Sequence, residues 1–127
     1  MAIPFSPSGK INPNDASAPM KYYPRASNFG EIDLEELAEQ VSFCCSATPA
    51  DCYLVIMSLV TEVSNSLEQG KIVRLGNLGS FQVSIKGDSS DTPEAVKAQN
   101  ITSTSILFRP GKKLKKMFKR LVFLPKK

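Results

Sequence analysis

The stretch Lys71-Ile-Val-Arg-Leu-Gly-Asn-Leu-Gly-Ser-Phe-Gln-Val-Ser-Ile85 constrains the fold more than any other part of the chain. Val73 and Leu75 alternate with Ile72 and Arg74, and Phe81, Val83 and Ile85 alternate with Gln82 and Ser84. A period of two predicts two strands of a sheet with one buried face. Gly76 and Gly79, lying between the two strands, supply the backbone freedom of a tight reversal. The 127 residues are enough for one domain with a modest core built around this unit.

Two helices are expected ahead of it. Asp33 stands as an N-cap, Glu36 follows three residues later as in a capping box, and Ile32 and Leu37 are placed as a hydrophobic staple. Leu34, Leu37, Ala38 and Val41 then repeat on one face. Glu35, Glu36 and Glu39 read as a solvated acidic face favoured by the helix dipole rather than as a metal or acid–base site. Thr48 caps a second helix, with Pro49 at its first position and Asp51 at its third, and Gly70 ends it. Cys52, Ile56, Leu59, Val60, Val63 and Leu67 form a long apolar stripe, which Tyr53, Val55 and Met57 widen beyond one face. Such a helix is expected at a dimer interface, with a larger monomer core as the alternative.

The flanks are less regular. Residues 1–30 hold five of the nine prolines, with extended candidates at 2–5 and 20–26. Residues 21–25 suit an edge strand, where proline is tolerated, or else a disordered arm. Residues 86–104 read as a loop, with a helical turn beginning at Thr92-Pro93. A third strand over Ile106, Leu107 and Phe108 ends at Arg109-Pro-Gly. A helix then runs from about Lys112, with Leu114, Met117, Phe118 and Leu121 inward and Lys112, Lys113, Lys115, Lys116, Lys119 and Arg120 outward. Val122-Phe-Leu-Pro125 is expected to be a short strand paired near residues 21–25.

Charge is the second constraint. Residues 1–108 carry 7 Lys and Arg against 12 Asp and Glu, whereas residues 109–127 carry 9 Lys and Arg and no acid. This asymmetry points to a localised anionic partner, a nucleic acid or a membrane surface, unless the run is a solvated tail. Histidine is absent, no phosphate-binding loop is present, and Cys44, Cys45 and Cys52 lack zinc-site spacing, so an enzyme and a metal cofactor are not expected. The cysteines read as buried free thiols of a reducing compartment. The N-terminus has no secretion-signal pattern and no run reaches membrane-spanning length, which fits a cytoplasmic location.

Two motifs give these elements a likeness. Leu75-Gly-Asn-Leu-Gly-Ser-Phe-Gln-Val83 is similar to the Gly-x-Gly-Ser/Thr-Phe signature of the HU/IHF family of bacterial histone-like DNA-binding proteins. Phe108-Arg-Pro-Gly-Lys-Lys-Leu114 is similar to that family's Phe-Lys-Pro-Gly-Lys-x-Leu signature. The likeness covers about residues 31–120 and is nearest to the Bacteroides-type branch with an extra N-terminal segment. It implies an α+β fold as an intertwined homodimer: an N-terminal helical hairpin, a three-stranded antiparallel sheet with an arm at 86–104, a C-terminal basic helix, and an additional N-terminal strand segment at 1–30. It implies non-sequence-specific binding of double-stranded DNA, in a nucleoid-associated role, with no small-molecule substrate.

On that reading Pro110 and Gly111 open the last helix on a phosphate, and Arg109, Lys112, Lys113, Lys115 and Lys116 surround it. Lys71, Arg74 and Lys86 extend the surface from the sheet. The arm departs from the family pattern, because Asp88, Asp91 and Glu94 outnumber Lys86 and Lys97, and Pro93 starts a helical turn rather than forming a wedge between bases. That departure keeps a rival open, a histone-like scaffold serving as a protein or RNA interaction module. Membrane-surface binding by residues 112–127 ranks lower, since its apolar positions are claimed by the core.

Overall fold

A computed structural model describes residues 2–126. The chain is α+β and divides into two compact units, one of Leu34–Met117 and one of the N-terminal segment through Asp33 with the residues from Phe118 onward.

The first unit contains helices α1 (Leu34–Ser42) and α2 (Pro49–Glu68) and strands β3 (Val73–Arg74), β4 (Gly79–Gly87) and β5 (Ile101–Pro110), followed by helix α3 (Lys112–Phe118). Helix α1 begins directly after Asp33, and α2 starts where Thr48 accepts the Asp51 backbone N–H at 3.2 Å. Helix α2 ends with the Gly70 N–H donating to Leu67 O and the Lys71 N–H to Ser66 O, the paired bonds of a Schellman ending. Strands β3, β4 and β5 are antiparallel in that spatial order. Gly76 and Gly79 take φ of 58° and 143° in the β3–β4 turn, a region closed to most side chains, as the strand–turn–strand pattern requires.

Two expectations shift here. β3 is only two residues long, while β5 begins five residues before Ile106, so residues 101–105 belong to the sheet rather than to a loop. The β4–β5 ribbon therefore runs out to Gly87 opposite Ile101. Residues 88–100 close on themselves beyond it. Asp88 N–H donates to Asn100 O, and Lys97 N–H to Asn100 Oδ1 at 2.8 Å. Short 3-10 turns occupy Pro93–Ala95, starting after Thr92 as expected, and Ala98–Asn100.

The expected core is largely uncovered in a single chain. Ala38 and Cys52 are buried, but Leu37, Val41, Leu59 and Val60 of the two apolar stripes are more than a third exposed. An open groove of about 700 Å³ lies between α2 and the sheet, lined by Leu59, Val60, Val63 and Leu67 on one side and Phe81, Val83 and Ile106 on the other. The cysteines also differ from expectation: Cys44 and Cys45 are exposed and Cys52 alone is buried. Cys45 Sγ lies 3.9 Å from Cys52 Sγ, and burial, followed by the Cys45 contact, pushes the Cys52 thiol pKa up.

The second unit is a three-stranded sheet of β1 (Ile3–Lys10), β2 (Lys21–Ala26) and β6 (Phe123–Pro125) in the order β2-β1-β6. β2 is an edge strand, as its proline suggested. β6 pairs with β1 in parallel, Ile3 opposite Phe123 and Phe5 opposite Pro125, and not with residues 21–25. The Ile3 N–H reaches Val122 O at 2.7 Å and the Lys126 N–H reaches Phe5 O at 2.8 Å, tying the two chain ends together. No helix among the described residues is long and apolar enough to cross a membrane.

Candidate nucleic-acid interface

Strand register sorts the β3–β4–β5 sheet into two chemically distinct faces. Directly opposed residues of neighbouring strands share a face, and successive residues alternate. One face carries Val73, Phe81 and Phe108 in one row and Val83 opposite Ile106 in the next. The Phe81 and Phe108 rings lie 4.9 Å apart at 36°, anchoring the root of the ribbon. This face lines the apolar groove against α2.

The opposite face is polar and basic. Arg74 is opposite Ser80, which is opposite Arg109, so both guanidinium side chains rise from one row with a hydroxyl between them. With strands about 4.8 Å apart, the two arginine backbones stand roughly 10 Å apart. Along the ribbon follow Gln82 opposite Leu107, Ser84 opposite Ser105, and Lys86 opposite Ser103. No acidic residue occurs in β3, β4 or β5. Arginine, lysine and hydroxyl groups on one open surface are donors suited to phosphate oxygens.

Helix α3 adds four more cations. At about 100° per residue, Lys112, Lys113, Lys115 and Lys116 fall within one half of its circumference, and Leu114, Met117 and Phe118 within the other. Leu114 is half-buried while the lysines are exposed. The helix stops at Phe118, so Lys119 and Arg120 lie in the turn that follows it and not on the helix as expected.

Gly111 has a structural role at the start of α3. Its N–H donates to Leu78 O at 3.0 Å and is thus committed within the fold. A Cβ there would collide with the carbonyl oxygens of Gly76 and Asn77. Gly111 is therefore the point where the start of α3 presses against the β3–β4 turn, and Pro110 ends β5 opposite Gly79. The glycine thereby sets where the lysines of α3 begin.

The structure thus brings Arg74, Lys86 and Arg109 onto one face and places Lys112, Lys113, Lys115 and Lys116 on the helix that follows directly. Lys71 stands apart: it closes the end of α2, and no register ties its side chain to that face. The hydroxyl and amide row of Ser80, Gln82, Ser84, Ser103 and Ser105 was not singled out in the sequence. Its signal was present, as the polar phase of the same alternation that marked the core. The exposed arm tip holds Asp88, Asp91 and Glu94 with Lys97.

The chain matches the HU-HIG family, described as an HU domain fused to wHTH, Ig or a glycine-rich motif, over residues 1–125. Among curated proteins none matches the sequence. Among solved structures, a protein of Bacteroides vulgatus ATCC 8482 assigned as a bacterial DNA-binding protein aligns with a TM-score of 0.64 at 17% identity, covering 94% of this chain. This chain spans 47% of that protein's length. The HU protein of Anabaena, in a cocrystal with DNA, aligns with a TM-score of 0.54 at 18% identity, covering 68% of this chain and 97% of its own. At these identities the two structures speak for a shared fold. With the family match running from the first strand to the last, the chain belongs to the HU-HIG family.

Proposed function

We propose that the chain binds duplex DNA without sequence preference, in a nucleoid-associated role in the bacterial cytoplasm, through residues 31–127. The observation that carries this reading is the acid-free polar face of Arg74, Lys86 and Arg109, continued by the lysines of α3. Phosphate contacts of this kind position a protein without reading bases. DNA-bound HU sharing the fold supports the same reading. The Lys112→Glu, Lys113→Glu double variant tests it by fluorescence anisotropy with a short random duplex. Two reversed charges are expected to weaken binding at low salt by about 100-fold or more; an unchanged affinity refutes the reading.

The binding form on this account is a homodimer. Tyr53, Leu54, Val55, Leu59 and Val60 on α2 are 42% to 66% exposed in one chain. Covering each is worth on the order of 1 kcal/mol, and a second copy offers a matching surface by symmetry. Leu59→Arg is expected to halve the mass found by sedimentation equilibrium; a wild-type protein already at the mass of one chain contradicts the dimer.

A second reading rests on the arm. Its acidic tip repels phosphate and favours reduced wrapping of DNA, with the scaffold meeting a protein or RNA instead. Duplex binding that unrelated DNA competes away would count against that reading.

A further inference from the structure

We propose that one face of the N-terminal β1–β2 ribbon is a second contact surface for duplex phosphates, separate from the β3–β4–β5 face. The inference rests on the DNA-binding reading above and adds a place where the duplex is held.

The register divides this ribbon as cleanly as the other. Ser6 is opposite Arg25, Ser8 opposite Tyr23, and Lys10 opposite Lys21, which puts these six side chains on one face. The other face holds Phe5 opposite Ala26, Pro7 opposite Pro24, and Gly9 opposite Tyr22. The first face thus gathers every cation of the ribbon together with the hydroxyls of Ser6, Ser8 and Tyr23, and neither strand contains an acid. Lys10, Lys21, Tyr23 and Arg25 are all exposed.

Two features favour an anionic occupant. Lys10 and Lys21 are directly opposed, and like charges across an antiparallel pair work against the pairing unless an anion sits over them. Lys10 Nζ stands 5.4 Å from the centre of the Tyr23 ring, which holds the ammonium over the face. The single acid of residues 1–30, Asp15, lies in the connecting loop. Its carboxylate accepts from Ser17 N–H at 3.1 Å and Ser17 Oγ at 2.6 Å, so its charge is engaged there.

The spacing suits a duplex. From Lys21 to Arg25 the ribbon advances four residues, about 14 Å, which matches about four steps of one DNA strand at 3.4 Å each. Ser6 and Ser8 supply hydroxyl donors along the same line.

The test is a salt series of anisotropy titrations on the full chain with a random duplex, comparing wild type with Lys10→Gln, Lys21→Gln, Arg25→Gln. Each phosphate contact contributes about 0.9 to the log–log salt slope, so the triple variant is expected to flatten the slope by about two to three. Ser8→Lys on the same face is expected to steepen it by about one. Slopes unchanged in both variants, with binding still lost in Lys112→Glu, Lys113→Glu, overturn this inference and leave the DNA-binding reading standing. No binding by the wild type at low salt overturns both.

Discussion

The molecule contains two antiparallel β-ribbons built on the same plan, one ending in an acidic tip and the other basic along its length. The β4–β5 ribbon is the longer, is rooted by the tilted Phe81 and Phe108 ring pair, and ends in a tip with three acids and one lysine over residues 88–100. The β1–β2 ribbon has exposed tyrosines instead of a packed ring pair, and three cations against one acid across residues 1–30. Both ribbons sort their residues into a polar and an apolar face through register alone. Since the two ribbons share their geometry, on the account proposed here it is the charge placed on each that decides which surface meets an anion. In the longer ribbon, Arg74 and Arg109 flank Ser80 at the root and Lys86 stands near the far end, just before the acidic tip. In the shorter one, basic residues occupy its length.

Removing the aromatic anchor is expected to separate the two ribbons most strongly. Phe81→Ala should lower stability by about 2 kcal/mol, below the range for a fully buried ring because Phe81 is half-buried. Tyr23→Ala should cost less than about 1 kcal/mol, since it removes only an exposed ring and its cation contact. Urea denaturation of the two variants checks this, and equal losses would erase the contrast.

A smaller effect is expected at the acidic tip. Asp88→Asn, Asp91→Asn, Glu94→Gln removes three negative charges from the long ribbon and should raise duplex affinity by up to about tenfold at low salt. Anisotropy reads the change directly. No gain would mean the tip lies away from bound DNA, and the contrast in charge would then have no bearing on binding.

Much of this was legible in the sequence because it is written locally. The alternation around Phe81 and Val83, the Thr48-Pro49 start and the Gly70 ending each concern residues a few positions apart, and each appears in the structure. The misread parts depend on distant partners. β6 pairs with residues 3–5 and not with the expected 21–25, and a three-residue strand carries no mark in its sequence of which neighbour it takes. Pro4, Pro7 and Gly9 resemble loop chemistry, whereas pairing with β6 over Ile3–Phe5 and with β2 from Phe5 onward carries the strand through to Lys10. The arginine row was hidden for the same reason. Arg74 and Arg109 are 35 positions apart, and only their shared opposition to Ser80 makes them neighbours. The packing role of Gly111 is hidden in the same way, because the carbonyls it meets, Gly76 and Asn77, belong to a turn more than 30 residues earlier.

The measurement that tests the central claim most directly is the salt dependence of wild-type binding to a random duplex. With five or six phosphates neutralised, the binding constant should fall with salt at a log–log slope near about −5, and unrelated DNA should compete fully. A slope near zero, or no binding at low salt, would contradict a phosphate-gripping surface.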